Sequence, residues 1–98
     1  MEIEWTEKAD RDLDEALGYV ADHDPDAATR MLSAVFRVVE LLREHPEMGQ
    51  VVTNLQPSGR LRHIVMGKFR IIYEVVDGDI FVMRVWDARR DPGSFVVE

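Results

Sequence analysis

The sequence predicts an α+β domain in the order β-α-α-β-β-β, a helical hairpin laid on one face of a small antiparallel sheet. Three observations carry this. Residues 60–86 are dense in Val, Ile, Phe, Tyr and Trp, and two glycine-containing turns break them into three strands. Two earlier segments repeat apolar residues at helical spacing. Asp24-Pro25 is all that separates those segments, so two helices there must fold back as an antiparallel hairpin.

In chain order, Glu2-Ile3-Glu4-Trp5 alternates polar and apolar side chains, the pattern of a short half-buried strand whose place in the sheet the pattern leaves open. Thr6 is the expected N-cap of the first helix, with Glu7 placed to favour the helix dipole. Ala9, Leu13, Ala16, Leu17 and Val20 form its apolar stripe, the acids are expected opposite, and the helix should end near His23. Asp24 caps the second helix, and Pro25 stands where a missing N–H costs nothing. Ala28, Met31, Leu32, Val35, Val38, Val39 and Leu42 make the second stripe, widened by Ala27, Ala34 and Leu41. His45-Pro46 ends it, because proline disfavours helix at the residue before it. Glu47 to Ser58 reads as a loop with at most a short extended piece at Val51-Val52. Strands are then expected at Arg60–Met66, Phe69–Val76 and Asp79–Trp86. Asp77-Gly78 supplies the positive φ values of a two-residue hairpin turn, and Gly67-Lys68 serves the same purpose.

At 98 residues the chain has the length of one domain, residues 1–98, with a core that needs no staples. It contains no cysteine, which excludes disulfides and thiolate metal sites and fits a reducing cytoplasm. No apolar run reaches membrane-spanning length, and the first residues lack the pattern of a signal peptide. The net charge of −7 is unevenly spread: residues 1–26 carry ten acids against two bases, whereas residues 57–98 carry six acids against seven bases. Bulk attraction to nucleic acid is therefore excluded, and any such contact would be local to the sheet.

The candidate functional groups are the cations of that sheet, Arg60, Arg62, Lys68, Arg70 and Arg84, and of the segment after it, Arg89 and Arg90. Strict alternation puts Arg62 with Ile64 and Met66, Arg70 with Ile72 and Glu74, and Arg84 with Val82 and Trp86. Whether Arg62, Arg70 and Arg84 meet on one face depends on register. Ion pairs with Glu74 and Asp87 are the simpler use of these arginines. His63, the one strand histidine, is expected to be a partly buried sheet residue. Tyr73 should bury its ring and find a partner for its hydroxyl, and Trp5 and Trp86 should anchor the sheet–helix core. No phosphate-binding glycine loop, nucleophile triad or metal-ligand spacing occurs, so no cofactor and no metal are expected.

Taken together, these features resemble a known family. Trp5-Thr6, Ala9, Asp12-Leu13 and Tyr19 come first, then Asp26-Ala27-Ala28 and the apolar run to Leu41-Leu42. His45-Pro46-Glu47-Met48-Gly49, Arg62, Phe69-Arg70-Ile71-Ile72-Tyr73 and Val85-Trp86-Asp87-Ala88-Arg89-Arg90-Asp91-Pro92 follow. The ordered set is similar to the RelE/ParE toxins of type II toxin–antitoxin systems, and more closely to the ParE-like branch. The resemblance implies a cytoplasmic toxin held inactive by a cognate antitoxin. Its relatives inhibit either DNA gyrase or, as mRNA endonucleases, translation at the ribosome. Asp87 stands where the family commonly has His, and this, with the ParE-like pattern, favours a gyrase-type protein target over an enzyme; His63 is a second departure, standing where the ParE-like branch usually has Glu. In that reading Arg62, Arg70, Arg84, Trp86, Arg89 and Arg90 form the target- or antitoxin-binding surface. As a ribosome-dependent nuclease acting on mRNA, the chain would instead rely on Arg62, His63 and Arg84. A degenerate, non-toxic relative is the third reading, and a homodimer is left open.

Overall fold

A computed structural model describes residues 2–52 and 60–87. The elements are β1 (Ile3–Trp5), α1 (Glu7–His23), α2 (Pro25–Glu44), β2 (Gln50–Val51), β3 (Leu61–Met66), β4 (Phe69–Val76) and β5 (Asp79–Asp87). The order matches the sequence expectation, with β2 as the short extended piece after α2. Residues 53–59 and the positions of Arg89, Arg90 and the C-terminal apolar triplet lie outside the described residues.

Local chemistry explains the element ends. Thr6 caps α1 by accepting from the Ala9 N–H at 3.1 Å. It also ties α1 to the sheet, since its N–H donates to the Val82 carbonyl at 3.1 Å and its hydroxyl to the Met83 carbonyl at 2.9 Å. Asp24 serves both helices: its N–H closes α1 on the Val20 carbonyl, and its carboxylate accepts from the Asp26 and Ala27 N–H groups at the start of α2. In the β4–β5 turn both Asp77 (φ 51°) and Gly78 (φ 82°) are left-handed, as a type I′ hairpin requires; in the β3–β4 turn Gly67 (φ 55°) is.

The strands run β1-β5-β4-β3-β2. β1 lies parallel to β5, with Ile3 opposite Ile80 and Trp5 opposite Val82, whereas all other neighbours are antiparallel. The sheet is thus mixed rather than purely antiparallel. The chain passes through two helices between β1 and the meander, and this crossover lets the first strand pair in parallel with the last.

The helical hairpin covers one face. Ala9 and Leu13 of α1 and Val35 and Val39 of α2 pack on Ile71, Val82 and Val85, with Ile3, Trp5, Met66 and Phe69 around them. Leu42 extends the contact to Tyr73 and Ile80. On the opposite face, Leu61, Ile72 and Trp86 form their own buried cluster with Met83. Trp86 therefore anchors the second face, not the sheet–helix core, and the centre of that face is not the bare surface that one-sided helix packing implies.

A bulge explains the reassignment. Ile72 pairs with Arg84 and Tyr73 with Val82, so Met83 is an extra residue in β5. Ile80 and Val82 face the helices before it; Val85 does so after it, which turns Arg84 and Trp86 to the second face. Strict alternation, which put Arg84 with both Val82 and Trp86, fails at this point.

Candidate functional site

Arg62, Arg70 and Arg84 do not assemble on one face. Arg62 pairs with Tyr73, whose ring lies among the helix-facing residues, whereas Arg70 pairs with Trp86 and Arg84 with Ile72 on the second face. Register, which decides whether Arg62, Arg70 and Arg84 meet, splits the three, with Arg62 on the helix side and the other two on the second face.

Arg62 and Tyr73 together hold the turn that follows α2. The Tyr73 hydroxyl accepts from the Gly49 N–H at 2.8 Å and donates to the Pro46 carbonyl at 2.8 Å. Arg62 Nη1 donates to the Gly49 carbonyl at 2.8 Å and the Glu47 carbonyl at 3.3 Å. Gly49 has no space for a side chain, since a Cβ there would stand 2.7 Å from the Tyr73 hydroxyl and 2.8 Å from the His63 carbonyl. The buried Tyr73 hydroxyl is pushed above its ordinary pKa by desolvation, a rise that the Gly49 hydrogen bond and the Arg62 charge oppose. As expected, its ring is core and its hydroxyl is satisfied. Beside this clamp, Pro46, Glu47, Arg60, Arg62 and Val75 line a concavity of about 230 Å³.

Arg84 meets Asp12 rather than Glu74. Its Nε lies 2.7 Å from Asp12 Oδ2 and its Nη2 lies 3.0 Å from Oδ1, a two-point grip, and the Val85 N–H also donates to Oδ2 at 3.1 Å. Both side chains are only 15% exposed. The guanidinium also sits over the Trp86 ring, 5.1 Å from its centroid. Hydrogen bonding to Asp12 raises the Arg84 pKa further above its usual value, against a smaller opposing effect of burial. Asp12 is thus the acid of α1 that does not lie opposite the apolar stripe. It occupies the β5 edge beyond the end of β1, where its oxygen replaces a missing strand as acceptor for Val85. Its position gave the signal: Asp12 is three residues after Ala9 and four before Ala16, on the stripe itself, where a carboxylate needs a partner.

His63 pairs with Ile72 and so shares the second face with Arg70. Burial, and secondarily the Arg70 charge, push its pKa below 6.5. His63 Nδ1 and Arg70 Nε are buried with no hydrogen-bond partner among the described residues. Arg89 and Arg90 lie outside the described residues, as does the Asp87 side chain. Among the described residues, no group of three His, Asp or Glu side chains is placed to hold a metal ion, and no helix is long and apolar enough to cross a membrane.

Comparison with known proteins gives three matches. Residues 3–92 match the family described as ParE toxin of type II toxin-antitoxin system, parDE. A 48-residue stretch is 42% identical to the candidate toxin Y4kP of Sinorhizobium fredii (strain NBRC 101917 / NGR234), spanning 49% of this chain and 50% of that protein, so the likeness reaches over about half the length of the curated relative. Among solved structures, a chain of the chromosomal ParDE TA system from P. aeruginosa superposes with a TM-score of 0.76 at 21% identity, covering 91% of this chain and 97% of that one. At that identity the superposition speaks to the fold.

Proposed function

The chain belongs to the ParE toxin family of type II toxin–antitoxin systems, and on that premise we propose that a cognate antitoxin holds it inactive and that, once free, it inhibits DNA gyrase. The family match over residues 3–92 carries this reading. The geometry favours a protein-binding toxin over a nuclease. Cleavage of RNA without a metal needs a base, an acid and cations converging on one phosphate. Here Arg62 and His63 point to opposite sides of β3, and Arg84 is tied to Asp12. These three groups cannot converge on one phosphate without remodelling the sheet. Antitoxin control of gyrase inhibition puts the protein in the cytoplasm.

A supercoiling assay with purified gyrase tests the target. Inhibition at stoichiometric toxin is expected, and undiminished supercoiling at large excess overturns the gyrase reading. Codon-dependent cuts in mRNA on incubation with ribosomes would replace it with the nuclease reading. The antitoxin is tested separately, by co-expressing the product of a short neighbouring reading frame. A complex that co-purifies and restores growth is expected, and free toxin in the eluate counts against neutralisation by that protein.

A further inference from the structure

We propose that the concavity beside the Arg62 clamp is a carboxylate-binding site that seats one Asp or Glu side chain of the neutralising partner. The proposal rests on the reading that such a partner binds this chain, and it adds the contact by which it does so.

The site is built around half of a guanidinium group. Arg62 spends Nη1 on the Gly49 and Glu47 carbonyls. Among the described residues, Nε and Nη2, the other edge of its fork, make no hydrogen bond. That edge is the pair of parallel donors that matches the two oxygens of a carboxylate. The clamp fixes it in advance, because the carbonyls that hold Nη1 belong to a turn which Tyr73 pins at both ends. A partner carboxylate would therefore lose less freedom in binding here than at a loose surface arginine.

The surroundings select the ligand. The wall sets the Arg62 guanidinium beside the Glu47 carboxylate, so recognition rests on the fixed fork of donors and not on an excess of charge. Pro46 and Val75 supply apolar walls suited to the methylenes of an acidic side chain. The volume of about 230 Å³ is below the roughly 300 Å³ at which pockets for whole small molecules begin. A single side chain fits that space better than a nucleotide does, and the acidic protein around it repels a polyanion.

The test is read on the free protein by NMR, from the Arg62 Nε–H resonance during titration with N-acetyl-glutamate amide. A saturable shift with half-effect at roughly 10 mM is expected for one pre-organised ion pair. N-acetyl-glutamine amide at matched ionic strength should leave the resonance in place. Arg62→Lys, which keeps a charge but lacks the fork, should abolish saturation of the neighbouring Gly49 and Val75 amide shifts. No saturable shift in the wild-type protein overturns the proposal, as does an equal response to the glutamine compound. Tighter binding of inorganic phosphate or a short oligouridylate at the same resonance would turn the site into a phosphate site and likewise overturn it. None of these readouts uses the antitoxin. An antitoxin that co-purifies with a protein giving no glutamate response sinks the pocket and spares the family reading, and the reverse result does the opposite.

Discussion

Replacing Tyr73 with Phe keeps the core ring and removes one oxygen, and the structure sets the cost. The hydroxyl accepts from Gly49 in a buried bond and donates to Pro46 in a partly buried one. Without it, the Gly49 N–H has no acceptor and no route to water, a desolvation cost of about 1–3 kcal/mol. The Pro46 carbonyl is half-buried and can rehydrate, so its loss is that of an ordinary net hydrogen bond, about 0.5–1.5 kcal/mol. Together the Tyr73→Phe substitution should cost about 1.5–4.5 kcal/mol, a large share of the roughly 5–15 kcal/mol that holds a domain folded. In urea the midpoint should fall by about 1–2 M at unchanged slope. Hydrogen exchange supplies the local readout: the Gly49 amide should lose more protection than the global destabilisation explains, while amides of the β4–β5 pairing follow the global value. A midpoint within about 0.3 M of wild type, with Gly49 still protected, would refute the claim that this hydroxyl holds the turn.

Three further perturbations test neighbouring parts of the structure. Gly49→Ala forces a Cβ to 2.8 Å from the His63 carbonyl and should destabilise by about 1–3 kcal/mol, measured by urea unfolding. The double-mutant cycle of Asp12→Ala and Arg84→Ala should give a coupling energy of about 1–3 kcal/mol, because the pair is two-point and mostly buried; additive single-mutant losses would contradict it. His63 holds a folded-state pKa below its unfolded 6.5, so the unfolded chain takes up the proton first and stability falls as pH drops below 6.5 toward the folded midpoint. His63→Gln should flatten that limb of a stability-versus-pH curve, and Arg70→Gln should raise the His63 midpoint seen by NMR.

The order and type of the elements were legible because each rests on a local rule. Asp24-Pro25 must end one helix and start another, Asp77-Gly78 must turn, and two stripes of apolar residues must be buried. What sequence could not give was whatever depends on long-range pairing. The parallel placement of β1 beside β5 is set by a contact 77 residues apart, with no local signature. The bulge at Met83 is a single inserted residue in an unbroken run of β-formers, and it reverses every later side chain of β5. That one residue moved Trp86 from the expected core to the opposite face. The partners of Arg62 were equally beyond local rules: the carbonyls it grips belong to a turn 13 to 15 residues upstream.

These two long-range effects alter the expected functional surface of this ParE-family chain. A shared cationic face would have offered any anion several interchangeable contacts, with affinity set mainly by charge and readily screened by salt. The structure instead commits Arg62, Arg70 and Arg84 to separate positions. Arg84 is neutralised by Asp12 and laid on Trp86, where it braces α1 against the bulged edge of β5. Arg70 stands beside His63, whose pKa is lowered by burial and then by the Arg70 charge, on a face whose centre is already filled by Leu61, Ile72 and Trp86. Arg62 combines a fixed geometry with donors that make no hydrogen bond among the described residues. A partner reading this surface would gain less from bulk negative charge than from one carboxylate at the right place. Raising salt should therefore weaken its complex only modestly, whereas Arg62→Lys, which leaves net charge untouched, should weaken it strongly. The opposite ranking, steep salt dependence with tolerance of lysine, would mean that dispersed charge and not the fixed fork governs recognition.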